Sequence, residues 1–120
     1  MFAHSNVGEM KVDAAIMNSQ YHNIGETEIE GFNGDALKNW KKIIGFAQQS
    51  DIVFNCIDYG DKFDAAVASL CMKLKLPLVM GGTFATFFTV DYISSEGKPC
   101  FLCINDEAKL ATDIMEKIKP

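Results

Sequence analysis

The chain has 120 residues, 48% hydrophobic and 22% charged, so it can form a globular domain with one hydrophobic core. No run approaches the roughly 20 apolar residues of a membrane span, and the N-terminus lacks the pattern of a secretory signal. The net charge of -5 argues against a nucleic-acid surface, and all 11 basic residues are lysines. We therefore expect a cytoplasmic protein with neither a membrane nor a nucleic-acid partner.

The first half of the chain alternates between helical and strand-like patterns. Apolar residues at helical spacing predict a helix in EMKVDAAIMNSQYH, residues 9–22. Alternating residues predict a strand with one solvent-exposed face in GETEIEGF, residues 25–32. A second helix is predicted in residues 33–50, where Asn33 or Asp35 could cap its N-terminus.

The second half repeats this alternation. The compact apolar run SDIVFNCID, residues 50–58, is typical of a strand buried on both faces in the interior of a parallel sheet. Residues 60–76 are predicted to form a helix ended by Pro77, and residues 77–82 a second buried strand closed by a two-glycine turn. A third strand at 83–93, a turn at 96–99 and a closing helix at 106–120 are predicted to follow.

Helices that alternate with strands predict an α/β fold with a Rossmann-like, doubly wound, mostly parallel sheet. A complete nucleotide-binding domain of this kind begins with a strand and a glycine-rich turn. The chain contains neither a G-x-G-x-x-G motif nor a P-loop, and Gly81-Gly82 is too weak a signal to replace them. We therefore expect the sheet to be incomplete relative to such a domain.

Two side chains, Asp58 and Lys11, are candidates for nucleotide binding. Asp58 ends a predicted strand, and in open α/β sheets ligands bind just beyond the carboxyl ends of the strands. It could hold a metal or a ribose, or it could simply cap the next helix. Lys11 lies near a predicted helix start, where a cation is unfavourable unless an anion offsets it. It could contact a phosphate, or it could be a solvated surface lysine.

Cys100 and Cys103 form a C-x-x-C pair in GKPCFLCIND. Thiolates at this spacing can bind the same tetrahedral zinc ion. Redox C-x-x-C motifs normally open a helix, whereas this one lies between a turn and a β-like run, so zinc is favoured and inert thiols are the next alternative. Cys56, in a predicted strand, and Cys71, in a predicted helix, are expected to be small core residues.

Four stretches in order, VGEMKVDAA, SDIVFNCID, LPLVMGG and GKPCFLC, resemble the ThiF/MoeB/HesA superfamily. Its members are the adenylation domains of ubiquitin-like-protein activating enzymes, and the resemblance is greatest to the type that activates the ubiquitin-fold modifier UFM. It covers residues 2–104, and the order of the motifs is more specific than any one of them. It implies that residues 1–120 form a partial adenylation domain.

The resemblance implies an activity that uses ATP and magnesium to adenylate the C-terminal carboxylate of a ubiquitin-like protein. Lys11 matches the lysine of the family's G-x-x-K loop, which contacts the nucleotide phosphates. Asp58 matches the aspartate that lies near the metal and the phosphates. Cys100 and Cys103 match two of the four zinc ligands. Members of the family commonly form dimers, so we expect a homodimer.

The sequence also departs from the family pattern. The first βα unit, with its glycine-rich turn, has no counterpart, so we expect the chain to be inactive alone. Tyr59 stands where the family often has asparagine, and Lys62 could replace an arginine of the following helix. The other zinc ligands and the catalytic cysteine are expected beyond Pro120.

Two alternatives to a part of an activating enzyme stay open. The first is a non-catalytic dimerisation or interaction module derived from the same fold, with an interface at Phe84, Phe87 and Phe88. The second is a nucleotide-binding regulator with an unrelated Rossmann-like fold.

Overall fold

A computed structural model describes residues 3–99 and residue 101. The chain forms two compact units, Met1–Trp40 and Lys41–Pro120. The elements in chain order are a short 3-10 helix (His4–Asn6), α1 (Lys11–Tyr21), α2 (Trp40–Gln48), β1 (Val53–Asn55), α3 (Asp61–Leu74), β2 (Leu78–Phe84) and β3 (Phe87–Ile93). None of the helices in this part of the chain is long and apolar enough to cross a membrane.

The first unit consists of α1 and a segment that lies against it. Helix α1 confirms the helix predicted in residues 9–22. The strand predicted in residues 25–32 is wrong, because this segment pairs with no other strand in the described part of the chain. Instead, Ile29 and Phe32 line a groove along α1. A strand forms only where a neighbour completes its hydrogen bonds, and alternation alone cannot supply that neighbour.

Gly31 allows this segment to approach α1 closely. A Cβ atom built on Gly31 would lie 2.6 Å from Cγ1 of Val12 and would also collide with the side chain of Ile16. Real Cβ atoms essentially never come this close, so the backbone reaches α1 only because no side chain stands between them.

Asp35 begins the turn that precedes α2. Its Oδ1 accepts hydrogen bonds from the backbone N–H groups of Leu37, at 2.9 Å, and Lys38, at 3.1 Å. Asp35 therefore caps this turn and not α2, so the prediction that Asn33 or Asp35 caps the helix is wrong. The four residues that follow form a turn, so the regular helix begins at Trp40, later than the sequence pattern predicts.

The second unit contains a three-stranded sheet with the order β1-β2-β3. Strands β1 and β2 pair in parallel and are joined through α3, which is the β-α-β unit of a Rossmann-like fold. Strand β3 pairs with β2 in the antiparallel sense. These features confirm the predicted α/β class, and the sheet of the described residues matches an incomplete Rossmann-like arrangement.

The hairpin between β2 and β3 turns later than predicted. Gly81 and Gly82 lie inside β2, opposite Val90 and Thr89 of β3, so the predicted two-glycine turn is wrong. The chain reverses after Phe84 and resumes at Phe87. Glycine permits a turn but does not impose one, and here the cross-strand pairing continues through both glycines.

The two faces of this sheet differ in burial. Leu78, Met80 and Ile93 share the face that packs against α3 and are buried. Phe54 of β1 points to the opposite face and is 66% exposed. The prediction that this strand is buried on both faces is therefore wrong. Successive strand residues alternate between faces, and an apolar run cannot show whether both faces are covered.

A turn closed by the hydrogen bond from the N–H of Gly97 to the carbonyl of Ser94, at 2.8 Å, lies at residues 94–97, two residues earlier than the predicted turn at 96–99. Gly97 is buried, has a φ of +71° and lies against Met72 of α3. The closing helix predicted in residues 106–120 lies outside the described residues.

Helix α3 ends in a Schellman motif. The N–H of Leu76 donates to the carbonyl of Cys71 at 2.9 Å, and the N–H of Lys75 donates to the carbonyl of Met72 at 3.3 Å. Lys75 has left-handed backbone angles, φ 56° and ψ 41°. The predicted end of this helix before Pro77 is thus confirmed, and the motif closes it two residues before the proline.

Lys75→Gly is expected to stabilise the protein, because glycine adopts left-handed angles without the steric cost that lysine carries. The free energy of unfolding should rise by about 0.5–1 kcal/mol, measured by urea denaturation. The matched control is Lys73→Gly, an exposed position inside α3 with ordinary helical angles, where the same exchange should lower stability by about 1 kcal/mol. Loss of stability in both variants would contradict the role given to Lys75.

Candidate functional site

A cavity of about 480 Å³ lies at the carboxyl end of β1. This is the edge of an open α/β sheet at which ligands bind. It is formed by the end of β1, the loop that follows, the start of α3 and the β2–β3 hairpin. Its lining residues are Asn55, Cys56, Ile57, Asp58, Asp64, Met80, Gly81, Gly82, Thr83, Phe88, Thr89 and Val90.

Asp58 lies in the wall of this cavity and is exposed. It comes three residues after the end of β1, whereas the sequence pattern predicts it as the last residue of the strand. Gly60, rather than Asp58, is the N-cap residue of α3, and no side chain caps this helix. The alternative role of Asp58 as a helix cap therefore has no support in the geometry.

Asn55 joins the end of β1 to the start of α3. Its side chain is only 5% exposed, and its Nδ2 donates a 2.7 Å hydrogen bond to Oδ1 of Asp64. Its Oδ1 accepts a longer bond, 3.4 Å, from the N–H of Ile57 in the loop. A buried amide needs such partners, because an unpaired polar group is costly in the interior. The contacts of Asn55 thus fix both sides of the cavity.

Asp64 is an acidic side chain with a perturbed environment. Burial raises the pKa of its carboxyl above the usual 3.8, and the nearby charges of Asp61 and Asp58 raise it further. The hydrogen bond from Asn55 acts in the opposite direction, because it favours the ionised form. Burial and the neighbouring acidic groups therefore disfavour the ionised form of Asp64.

The pairing between Asn55 and Asp64 was not predicted from the sequence. The signal that could have suggested it is the single amide within the apolar run IVFNCI, since a polar side chain in a strand interior needs a partner. The partner is nine residues further along the chain, in another element.

Cys56 and Cys71, the cysteines of the second unit that the structure describes, have different environments. Cys71 is buried, as predicted, and burial raises the pKa of its thiol to about 11. The thiol is therefore protonated at neutral pH and unsuited to nucleophilic attack. Cys56 is exposed and lines the cavity, so its prediction as a core residue is wrong. The predicted strand reaches its position, but the regular strand ends at Asn55.

Lys11 is the first residue of α1 and is exposed. The preceding loop is fixed by Asn6, whose Oδ1 accepts hydrogen bonds from the N–H of Ala3, at 2.8 Å, and from Nδ2 of Asn18, at 3.3 Å. Lys11 also borders the groove between α1 and the segment containing Ile29. These contacts belong to the first unit, whereas Asp58 belongs to the second.

Within the residues that the structure describes, no three His, Cys, Asp or Glu side chains are grouped so as to hold a metal ion together. The predicted zinc ligands Cys100 and Cys103 lie outside these residues, so the zinc site stays a prediction.

Comparison with known protein families gives one match, the model described as the ThiF family, over residues 1–117. The chain belongs to the ThiF family. No curated protein and no solved structure matches it significantly. Membership confirms the superfamily indicated by the four ordered stretches of sequence. It implies the activation of ubiquitin-like proteins, or a related adenylation function, with ATP and magnesium as the usual cosubstrate and ion.

The cavity of this ThiF-family chain offers groups that suit magnesium. Mg²⁺ prefers oxygen ligands and often binds through one or two carboxylates together with substrate phosphates. Asp58 and Asp64 line the same cavity, and a cation there would offset the burial and the repulsion that raise the pKa of Asp64. The donor set therefore fits this ion, even though it is not a complete protein cage.

Asp64→Asn is expected to stabilise the protein at neutral pH, by up to about 0.5 kcal/mol. The asparagine can still accept the bond from Asn55, and it removes a partly buried, repelled charge. Because the folded-state pKa is raised, the native carboxyl holds its proton more tightly than the unfolded one. The difference between variant and native protein should thus be full at neutral pH and disappear as the pH falls through that raised pKa.

The measurement is urea denaturation of both proteins over a series of pH values. Asp13→Asn is the control, because Asp13 is an exposed acid in the first turn of α1 and its neutralisation should give no such gain. If Asp64→Asn were less stable than the native protein at neutral pH, the environment described for Asp64 would be wrong.

Proposed function

We propose that the chain is part of an ATP-dependent activating enzyme that adenylates the C-terminal carboxylate of a ubiquitin-like protein. The observation that carries this proposal is the position of Asp58, in a cavity at the carboxyl end of β1, in a chain of the ThiF family. The UFM-activating type is proposed within this class on the sequence resemblance alone.

Adenylation is a substitution at phosphorus. A carboxylate oxygen of the ubiquitin-like protein attacks the α-phosphorus of ATP, a new C–O–P linkage forms, and the bond to the leaving pyrophosphate breaks. The reaction brings a negative nucleophile to a negative nucleotide, so the site must position both and neutralise charge. Magnesium, when bound, supplies that neutralisation at the phosphates.

In this proposal Asp58 contributes a carboxylate to the ion that accompanies the nucleotide. Asp64, held by Asn55, contributes the second acidic group of the same cavity. Thr83 and Thr89 add hydroxyl groups that can donate to phosphate or ribose oxygens. Lys11 is proposed separately as a phosphate contact, because its position at the start of α1 is where a cation gains most from an anionic partner.

Asp58→Asn is expected to weaken binding of Mg-ATP by about tenfold, equivalent to about 1.4 kcal/mol, because the amide loses the charge that holds the ion. Isothermal titration with and without magnesium measures this change. Asp51→Asn is the matched control, since Asp51 is an exposed aspartate before β1, outside the cavity, and the exchange should leave binding unchanged. Equal effects of the two substitutions would remove Asp58 from the site.

ATP–pyrophosphate exchange tests the catalytic part of the proposal. We expect the 120-residue chain alone to show no exchange, because it has no glycine-rich loop to hold the phosphates. Measurable exchange by this chain would show that it is catalytically sufficient. The absence of any magnesium-dependent nucleotide binding would instead remove the basis of the proposed function.

The zinc site, the homodimer and the cytoplasmic location stay predictions. For zinc, Cys100→Ser and Cys103→Ser should each lower the affinity by at least about tenfold, because each removes a thiolate ligand. Zinc bound to the purified protein is measured by mass spectrometry of the metal. Cys56→Ser is the control, as its exposed thiol lies in the nucleotide cavity. Equal zinc content in all variants would refute the prediction.

A further inference from the structure

Asn55 is bonded to both of the elements that present a carboxylate to the cavity. Its Nδ2 donates at 2.7 Å to Oδ1 of Asp64, in the first turn of α3. Its Oδ1 accepts a 3.4 Å bond from the N–H of Ile57, in the loop that carries Asp58. The amide is 5% exposed, so neither contact is exchanged freely for water.

The direction of the bond between Asn55 and Asp64 determines where the negative charge of the pair lies. The amide cannot ionise, so the charge is carried by Asp64. Asp64 is half-buried and lines the cavity, whereas Asn55 borders the same cavity with almost no exposed surface. The pair therefore places its charge on the partner that an ion in the cavity can reach.

The same bond distinguishes Asp64 from the other acid in the first turn of α3. Asp61 is exposed and lies outside the cavity lining, whereas Asp58 and Asp64 are part of it. The bond from Asn55 uses Oδ1 of Asp64, and no group among the described residues bonds to Oδ2. Oδ2 of Asp64 is therefore available, together with Asp58, to a cation.

We propose that Asn55 is a positioning residue of the cation site in this cavity. Its amide keeps the charge of the pair on Asp64 and holds the loop, so that Asp58 and Asp64 bind one divalent cation together. This inference rests on the proposed function, in which that cation accompanies the nucleotide. Asn55 acts through the two carboxylates, and partners that orient metal ligands in this way typically change metal affinity by about 10–100-fold.

Exchanging the two side chains tests the proposal. The double variant Asn55→Asp/Asp64→Asn keeps the total charge, and its two side chains can still share a hydrogen bond, now donated by the amide at position 64. The carboxylate at position 55 can still accept the bond from Ile57. The charge, however, moves to the almost fully buried position. We expect the affinity for Mn²⁺ to fall by at least about tenfold.

Binding of Mn²⁺ alone to the full 120-residue chain is measured by paramagnetic broadening of backbone amide signals. Mn²⁺ prefers the same oxygen ligands as Mg²⁺. In the native protein the amides of Gly81, Gly82 and Thr89, which line the cavity, should broaden first. Asp61→Asn is the matched control, because it removes a charge from the same turn of α3 outside the cavity, and affinity should stay within about twofold.

Asn55→Leu separates positioning from stability and also decides the question if the exchanged pair does not fold. Leucine has a similar volume but makes neither hydrogen bond, so Mn²⁺ affinity should fall by at least about fivefold. Val67→Ala is its control, because Val67 is buried in α3 outside this cavity and its truncation lowers stability. Urea unfolding midpoints are measured for both. An equal loss of affinity in both variants would overturn the proposal.

Two further results would overturn the role of Asn55. One is native Mn²⁺ affinity in the exchanged pair, and the other is the absence of broadening in the cavity of the native protein. Failure of the proposed function gives a different result, because the test uses no nucleotide. If Mn²⁺ binds in the native cavity and is lost in the exchanged pair, but ATP does not bind, Asn55 keeps its role and the nucleotide is removed from the site.

Discussion

The hydrogen bond between Asn55 and Asp64 is the constraint on which the second unit depends. It connects the last residue of the parallel strand to the first turn of the following helix, with Asn55 almost wholly buried. The loop between them, which carries Asp58, has its course set by these two ends. The buried side-chain amide of Asn55 therefore helps to position the exposed carboxylate of Asp58 and to maintain the shape of the cavity between β1 and α3.

Helix α3 determines which face of the sheet becomes core. Its alanines allow the helix backbone to approach the strands closely, and Ala65 and Ala66 are almost completely buried. The strand residues Leu78 and Ile93 are buried as well. The opposite face receives nothing from this helix, and the exposure of Phe54 and Tyr92 follows from that asymmetry.

The sequence pattern predicted correctly those elements that depend on residues close together in the chain. Helices α1 and α3 and the parallel β-α-β unit were predictable, because periodicity and the sheet crossover are encoded within short stretches. The segment around Ile29 and the glycines of β2 were mispredicted, since a neighbouring strand decides whether such residues pair. The contact between Asn55 and Asp64 was missed for a similar reason, because it joins two different elements of the fold. The end of β1 was predicted three residues too late, so Asp58 lies in the loop beyond the strand and Cys56 was wrongly assigned to the core.

The different accessibility of the Cys56 and Cys71 thiols can be used to follow the state of the second unit. Cys56 opens onto the cavity, and Cys71 is sealed within the helix-sheet layer with its pKa at about 11. An alkylating reagent thus reaches Cys56 in the folded protein and Cys71 only after the core opens. Slower alkylation of Cys56 indicates that a ligand occupies the cavity. The rate at which Cys71 is alkylated measures how often the core unfolds. Measuring both alkylation rates in one experiment would therefore distinguish a change in ligand binding from a change in folding stability.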